Sequence, residues 1–244
     1  MHLLKLIIIC FLLAACIKSK QNSQIRHLST SLTSLQHREM ALCQHKDKQS
    51  PIIISSKGKK AHHKLKFEYT SSHEVIKNLG HTVELIYDKG SKLIFNDVSY
   101  QLVQFHFHTP SEHHINTQVF PMEMHLVHQS IDSSYLVLSV LFQEKKDNKF
   151  LSNFIPDIPS KDGDTNISNK KIDLTTFFPN NKVFYTYGGS LTTPPYTEGV
   201  RWIIFQEPVD ISREQIEVFK KLEGFNARES QPVNNRKVEI FKTN

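Results

Sequence analysis

The sequence predicts a mostly β (α+β) protein, with one domain built on a large, twisted, predominantly antiparallel sheet and with short helices at its periphery. Short apolar segments bounded by turn residues recur from about residue 65 onward, which is typical of strands. Only two segments carry the features of a helix. With 244 residues and no internal repeat, the chain is long enough to bury one sizeable core.

The strands are predicted in a regular succession. They cover residues 81–87, 92–95, 100–108, 122–128 and 135–142, with turns at 88–90 and 96–97. The segment 135–142 is rich in Val and Leu without a clean alternation, so we expect it to be covered on both of its faces.

The two helices are predicted to be short. Residues 145–155 form the first one. Ser212 and Gln215 have the spacing of a capping box, in which each side chain bonds to the backbone of the other residue. The second helix therefore opens at Ser212 and extends through Leu222, and Gly224 lies just past its end.

Three histidines lie on two of the predicted strands. His106 and His108 are two residues apart and therefore share one face of their strand, and His125 lies on the next strand. If the two strands are neighbours, the three imidazoles converge, which is a known way to bind a catalytic zinc ion with one open position. Gln104 and Glu123 lie on the same faces and are predicted to hold the far ring nitrogens of these ligands.

Two other interpretations of the histidines were weighed. The chain has 14 His, so pairs at this spacing occur by chance and are more often hydrogen-bonded core residues. The pattern His106-x-His108-x3-Glu112 also fits a cupin, in which all three residues bind the metal. The glycines that frame the cupin motif are absent, since Tyr100 and Val119 occupy their positions. Two strands with matching ligand and acceptor residues favour the three-histidine zinc site.

The N-terminus has the features of an export signal. A short basic start is followed by an apolar run of ten residues, 6–15, which is too short to span a bilayer. Leu13-Ala-Ala-Cys16 resembles a lipobox, whereas the alternative is a plain secretory signal cut nearby. We expect a signal peptide at 1–15, a lipid on Cys16, a polar tether at 16–40 and a domain at 41–244. The protein is then exported to the periplasm or cell surface and anchored to the membrane.

The cysteine count and the net charge give no indication of an internal disulfide or of nucleic-acid binding. Cys10 leaves with the signal and Cys16 carries the lipid, so Cys43 has no internal partner and is either a free or an intermolecular thiol. The net charge of +6 is mild, and no nucleic-acid motif is present. The basic run Lys57–Lys66 is interpreted as a solvated loop, with contact to anionic lipid or polysaccharide as the alternative.

Several motifs together resemble one family, the α-class carbonic anhydrases of the bacterial exported type. The resemblance extends from about residue 43 to 241. The motifs that carry it are Gln49-Ser-Pro-Ile52, Gly80-His81, Gln104-Phe-His-Phe-His-Thr-Pro-Ser-Glu-His113, Glu123-Met-His-Leu-Val-His128, Tyr187-Gly-Gly-Ser-Leu-Thr-Thr-Pro-Pro195, Glu198-Gly-Val-Arg-Trp202 and Gln231-Pro-Val-Asn-Asn-Arg236.

The resemblance implies a reaction and a role for each site residue. Zinc on the three histidines binds a hydroxide that attacks carbon dioxide and gives bicarbonate, and His81 passes the released proton to solvent. Thr192 accepts a hydrogen bond from the hydroxide and donates one to Glu112, and Thr193 contacts product or inhibitor. The residues implied to line the carbon dioxide pocket are Val127, Val137, Leu191, Val200 and Trp202.

The chain departs from the family pattern in two places. Residues 32–42 lack the aromatic residues that cover the mouth of the site in the family, and Trp202 is the only Trp, which predicts an altered solvent network and lower turnover. Tyr196 occupies the position of the usual partner of Cys43, so we expect a stability about 2–4 kcal/mol below that of disulfide-bearing relatives.

Alternative functions remain open at the level of the sequence. The first is a catalytically weak or silent surface binding protein with the same fold. The second is the hydrolysis of simple esters, which is better treated as a side reaction of the same nucleophile. A homodimer is compatible with the sequence, which does not settle the oligomeric state.

Overall fold

The computed structural model describes residues 47–243. Several predicted features lie outside the described residues: the signal peptide, the lipid on Cys16, the tether, the start of the domain at 41 and the thiol of Cys43. Within the described part, no helix has the length and apolar character needed to cross a membrane.

The predicted fold class is confirmed: the protein is mostly β, with a large sheet and short helices. Thirteen strands form one mixed sheet, and the remaining two, β1 and β8, pair with each other. The strands are β1 Ile53–Ile54, β2 Lys59–Lys60, β3 Leu65–Glu68, β4 Ser72–Asn78, β5 Val83–Ile86, β6 Lys92–Phe95, β7 Val98–His108, β8 His114–Ile115, β9 Met122–Gln129, β10 Tyr135–Glu144, β11 Thr165–Ile172, β12 Val183–Ser190, β13 Glu198–Phe205, β14 Val209–Ile211 and β15 Glu239–Lys242.

The order of the strands places β7 and β9 side by side near the middle of the sheet. The main path runs β11-β4-β5-β7-β9-β10-β13-β12-β15-β2, with β3, β6 and β14 attached beside it. Most neighbours are antiparallel, whereas β13 and β14 run parallel to β10 and β2 runs parallel to β15. The antiparallel pair of β7 and β9 therefore lies between β5 and β10 and is protected from both edges.

The bounds of the two helices are set by local capping interactions. Helix α1, Lys149–Phe154, begins later than the predicted residue 145, because β10 continues to Glu144 and the side chain of Asn148 caps the helix by accepting from Leu151 N. A short 3₁₀ turn, Ile155–Asp157, follows it. Helix α2, Arg213–Glu223, has the predicted capping box of Ser212 and Gln215 and ends at Gly224.

The core consists of two apolar layers on opposite faces of the sheet. On β10, Leu136, Leu138 and Val140 belong to one layer, whereas the intervening Val137 and Leu141 belong to the other. Successive side chains of a strand point to opposite faces, so β10 is covered on both sides, as its composition predicts. The smaller layer, which contains Val137, lies on the face that carries the histidines.

The segment that contains His81 differs from the prediction. Strand β5 begins at Val83, not at residue 81, and residues 79–82 form a turn closed by a hydrogen bond from Leu79 N to Thr82 O (2.9 Å). Gly80 has φ +76°, a conformation that favours glycine over residues with a side chain. His81 is thus presented from an exposed turn.

Candidate metal centre

The ladder between β7 and β9 brings the three histidines together. His106 lies directly opposite His125, and His108 lies opposite Glu123. The ring centroids of His108 and His125 are 4.5 Å apart, those of His106 and His108 are 5.1 Å apart, and those of His106 and His125 are 5.4 Å apart. One ring nitrogen from each histidine lies within 4.8 Å of the others.

In His106 and His125, one ring nitrogen is held by a neighbour on the same strand. Nδ1 of His106 lies 2.9 Å from Oε1 of Gln104, and Nε2 of His125 lies 2.8 Å from Oε1 of Glu123. Because each of these oxygens accepts a hydrogen bond from the ring N–H, the proton stays on that nitrogen and the opposite nitrogen keeps its lone pair. In both rings the lone pair is therefore on the nitrogen that a metal ion needs.

His108 is held by a residue far away in the chain. Its Nδ1 lies 3.5 Å from the backbone oxygen of Asn226. Its Nε2 is buried and has no hydrogen-bond partner among the described residues. A buried nitrogen without a partner is costly unless something binds it. Three converging imidazole nitrogens fit a tetrahedral zinc ion with one open position.

The protonation states of the three rings suit metal binding. Burial lowers the pKa of His108 to about 4, and it also lowers the pKa values of His106 and His125. Neutral imidazole is the form that binds a metal, since a protonated ring has no free lone pair. All three rings are therefore available as ligands at neutral pH.

Glu123 is the most heavily bonded side chain of the centre. Its Oε1 accepts from His113 Nδ1 (2.7 Å), His125 Nε2 (2.8 Å) and Ser139 Oγ (2.6 Å), and its Oε2 accepts from the backbone nitrogens of Glu112 (2.8 Å) and His113 (2.7 Å). Although burial alone raises the pKa of this carboxyl group, its attraction to His113 and His125 holds the pKa well below the ordinary value. The group is therefore a buried carboxylate.

The hydrogen-bond network continues beyond Glu123. Nε2 of His113 lies 2.7 Å from the hydroxyl group of Tyr187, which lies 2.8 Å from Oγ of Ser50. His113, Glu123 and His125 also form a group of atoms spaced closely enough for a metal ion. Because these atoms already bond to one another, the first group of three histidines is the better metal site. Sequence reasoning missed the role of His113, although the two carboxylate oxygens of a buried Glu123 require more donors than His125 offers.

Glu112 and Thr192 lie together beside the histidines. Glu112 is 1% exposed, and its Oε1 accepts from the backbone nitrogen of Arg228 at 2.9 Å. Burial raises its pKa to about 7, while a side-chain hydrogen bond with Thr192 acts in the opposite direction. The carboxyl oxygens of Glu112 lie 3.6 Å from Nδ1 of His108 and 3.9 Å from Nδ1 of His125.

A cavity of about 250 Å³ opens next to the histidine cluster. His81, His106, His108 and Thr193 line it, together with Gln104 and Asn226. His81 is exposed, and its Nδ1 lies 2.9 Å from the backbone oxygen of Leu79. The cavity therefore connects the exposed imidazole of His81 with the half-buried His106 and the buried His108.

The predicted pocket residues form an apolar wall. Val137, Val200 and Trp202 are buried in the smaller core layer, and Val127 and Leu191 pack against it. The ring of Trp202 lies 4.8 Å from that of His125. The wall therefore borders the histidine cluster on the side of β9.

Comparisons with known proteins agree on one family. The family model for eukaryotic-type carbonic anhydrase matches residues 31–242. The chain is 38% identical over 202 residues to a carbonic anhydrase of Neisseria gonorrhoeae (82% of this chain and 80% of the relative) and 38% identical over 213 residues to α carbonic anhydrase 3 of Arabidopsis thaliana (82% and 76%). The structure is similar to that of the α-carbonic anhydrase of Thermovibrio ammonificans in complex with the inhibitor sulfanilamide, with a TM-score of 0.79, 40% identity and coverage of 83% of this chain and 91% of the other.

Proposed function

The chain belongs to the α-class carbonic anhydrases, and on this premise we propose how its residues carry out the family's reaction. The reaction is the reversible hydration of carbon dioxide to bicarbonate and a proton. The observation that carries the proposal is the convergence of three imidazole nitrogens, one of them buried without a hydrogen-bond partner among the described residues.

His106, His108 and His125 hold the zinc ion that is typical of this family. A bound zinc ion supplies a hydroxide nucleophile at neutral pH, because it lowers the pKa of a water ligand to about 7. Gln104, Glu123 and the backbone oxygen of Asn226 orient the three rings, and the negative charge of Glu123 raises the basicity of His125. The support for these roles is the set of ring contacts at 2.8–3.5 Å.

Thr192 and Glu112 orient the nucleophile. The carboxyl group of Glu112 accepts a hydrogen bond from the Thr192 hydroxyl, so Oγ1 of Thr192 is left as an acceptor toward the metal centre. Oγ1 of Thr192 then stabilises only a nucleophile that can donate a hydrogen bond to it. This hydrogen bond also directs the lone pair of the nucleophile at the substrate. The contact between Thr192 and the buried Glu112 supports this pairing.

The apolar wall receives carbon dioxide. The substrate is linear and carries no charge, so it enters an oily surface without losing strong hydrogen bonds to water. Val127, Val137, Leu191, Val200 and Trp202 provide that surface beside His125. Thr193, on the wall of the cavity, contacts the bicarbonate product.

His81 takes up the proton that hydration releases. Its Nδ1 donates to the backbone oxygen of Leu79, so its Nε2 is the nitrogen that is free to accept a proton. An imidazole titrates in the physiological range and therefore can pass this proton on to buffer. The cavity shared by His81 and His106 supports this assignment.

Export, membrane attachment and self-association are proposed on the N-terminal sequence and on family membership. We propose a bacterial exported enzyme with a lipid on Cys16, located in the periplasm or at the cell surface, because the run 6–15 ends in Leu-Ala-Ala-Cys. Mass spectrometry of the membrane fraction should find a lipid on Cys16, and a Cys16→Ser variant should lose it. An unmodified wild-type protein would exclude the anchor. A homodimer is tested by light scattering during size-exclusion chromatography.

The decisive experiment for the reaction is stopped-flow carbon dioxide hydration by residues 17–244. We expect a zinc-dependent rate that a sulfonamide inhibits and that falls to the buffer background in His106→Ala. The matched control is His62→Ala, which removes an exposed histidine outside the site and should keep the wild-type rate. A protein that binds zinc without hydrating carbon dioxide would be a silent binding protein on this fold.

A further inference from the structure

The turn that carries His81 makes contact with the segment that begins at the end of α2. Glu223, the last residue of α2, is 6% exposed. Its Oε1 accepts from the backbone nitrogen of Val83 at 2.8 Å, and it lies 3.4 Å from Oγ1 of Thr82. The carboxyl group therefore binds the two residues that follow His81.

The burial of Glu223 is costly. Its Oε2 is buried and has no hydrogen-bond partner among the described residues, and burial raises the pKa of the carboxyl group to about 8. A buried carboxyl group with one unbonded oxygen destabilises the folded protein relative to a fully bonded one. Such a group at the base of an exposed turn points to a role in positioning.

Asn226 makes a second set of contacts with the same turn. Its Nδ2 donates to the backbone oxygens of His81 (2.8 Å) and Phe107 (3.0 Å), and its Oδ1 accepts from the backbone nitrogen of Thr109 (2.8 Å). Phe107 and Thr109 are the residues on either side of His108. One amide group therefore joins the backbone of His81 to the strand that carries a zinc ligand.

The ring of His81 depends on these backbone contacts for its location. Its own hydrogen bond to Leu79 stays within the turn. Thr82 adds one further link, because its Oγ1 lies 2.9 Å from the backbone oxygen of Phe107. The links between the turn and β7 thus run through Thr82 and Asn226, and Glu223 fixes the base of the turn.

We propose that Glu223 and Asn226 are positioning residues for proton transfer, and that they hold the 79–82 turn against β7 at the distance from the metal centre that His81 needs. The inference rests on the proposed role of His81 as the proton acceptor. Neither side chain takes up the proton. Their effect is on the geometry of transfer, which is sensitive to displacements of the order of 1 Å.

The test separates proton transfer from carbon dioxide hydration. Asn226→Asp keeps the acceptor for Thr109 and replaces the donor to His81 by an oxygen, and Glu223→Ala removes the acceptor for Val83. For both variants of the full chain we expect kcat in dilute buffer to fall by about 3- to 10-fold, a fraction of what a catalytic proton acceptor contributes. In Glu223→Ala the ratio kcat/KM should stay within about twofold, because it reports hydration and not proton release. In Asn226→Asp, whose backbone oxygen also supports His108, kcat should fall by more than kcat/KM does.

Four further measurements make the test specific. Glu223→Gln keeps an acceptor for Val83 and should restore kcat, and a high concentration of imidazole should restore kcat in Asn226→Asp and Glu223→Ala. In a His81→Ala background, neither variant should lower kcat further. Glu217→Ala, on the exposed face of α2, should behave as the wild type.

Several outcomes would overturn the inference. An equal fall of kcat and kcat/KM, or no rescue by imidazole, would mean that these residues support only the fold or the metal centre. A thermal melt identifies a variant that has unfolded, and Asn226→Asp then decides the matter if Glu223→Ala fails. An unchanged kcat in His81→Ala would reject this inference and the proposed role of His81, while a zinc-dependent, sulfonamide-sensitive kcat/KM would leave the hydration reaction standing.

Discussion

The metal centre and the turn that carries His81 are held in different ways. The three histidines of the candidate zinc site lie on two adjacent strands, where the backbone ladder sets His106 opposite His125 and where His108 and His125 are buried. His81 lies on an exposed turn that depends on side chains from residues 223–226. The hydration of carbon dioxide therefore depends on the pair of strands, whereas the release of the proton depends on the contacts that hold the turn. Mutations can disturb one of these two structures without the other.

The loop that carries Thr192 provides the largest expected effect among variants that spare the zinc ligands. Thr192→Ala removes the hydrogen-bond acceptor at the metal centre, so kcat/KM should fall by about 100- to 1000-fold, as for the loss of one well-placed polar group. Zinc content, measured by atomic absorption, should remain at the wild-type level. A loss of zinc together with activity would show that this loop supports the metal as well.

A substitution of Glu123, which lies next to the ligand histidines, should weaken the binding of zinc. Glu123→Gln removes the negative charge that accepts from His113, His125 and Ser139, and the affinity for zinc should fall by about 10- to 100-fold. Competition with a chelator measures this affinity. An unchanged affinity would contradict the assignment of His125 as a ligand held by Glu123.

On the exposed turn, His81→Ala should slow proton release alone. We expect kcat in dilute buffer to fall by about 10-fold or more, with kcat/KM unchanged and with recovery on addition of imidazole. His73→Ala, which removes another exposed histidine, is the control. If kcat/KM fell together with kcat, hydration and proton release would not depend on separate parts of the structure.

The base of the turn should have the smallest effect on the reaction, and the carboxyl group of Glu223 should instead affect the pH dependence of stability. The pKa of Glu223 is raised from 4.5 to about 8 by burial, so between these values the folded protein keeps a proton that the unfolded chain releases. Stability from this group is therefore present below about pH 4.5 and is lost as the pH rises toward 8, by at most about 1.4 kcal/mol per pH unit.

Urea unfolding of the metal-free protein tests this prediction. The wild type should lose more stability between pH 5 and 8 than Glu223→Gln, which cannot titrate, while Glu217→Gln should follow the wild type. The same pH dependence in the wild type and in Glu223→Gln would show that the carboxyl group is already ionised in the folded protein.

The regular part of the molecule could be predicted because strand periodicity determines it. The spacing of His106 and His108, the acceptors Gln104 and Glu123, and the doubly covered β10 all follow from a repeat of two residues. Sequence reasoning did not find β11, which is polar along most of its length because it lies at the edge of the sheet. It also did not find β12, whose Gly188 and Gly189 are unusual in a strand.

The irregular part of the site could not be predicted from local patterns. His81 was expected in a strand and lies in a turn, because Gly80 allows the chain to reverse just before it. Asn226 supports His108 through a backbone oxygen, which every residue possesses and which leaves no mark in the sequence. The side chain of Asn226 bonds to the backbone of His81 and Phe107, which lie more than a hundred positions before it in the chain, so no local pattern indicates these contacts.

The most direct test of the account is a zinc titration of metal-free protein, followed by stopped-flow carbon dioxide hydration. The account predicts that activity rises linearly and stops at one zinc per chain, and that His108→Ala, which removes the buried nitrogen without a partner, abolishes both binding and activity. If zinc bound with the same stoichiometry to His108→Ala, or if the loaded wild type did not exceed the buffer rate, the proposed three-histidine centre would be wrong.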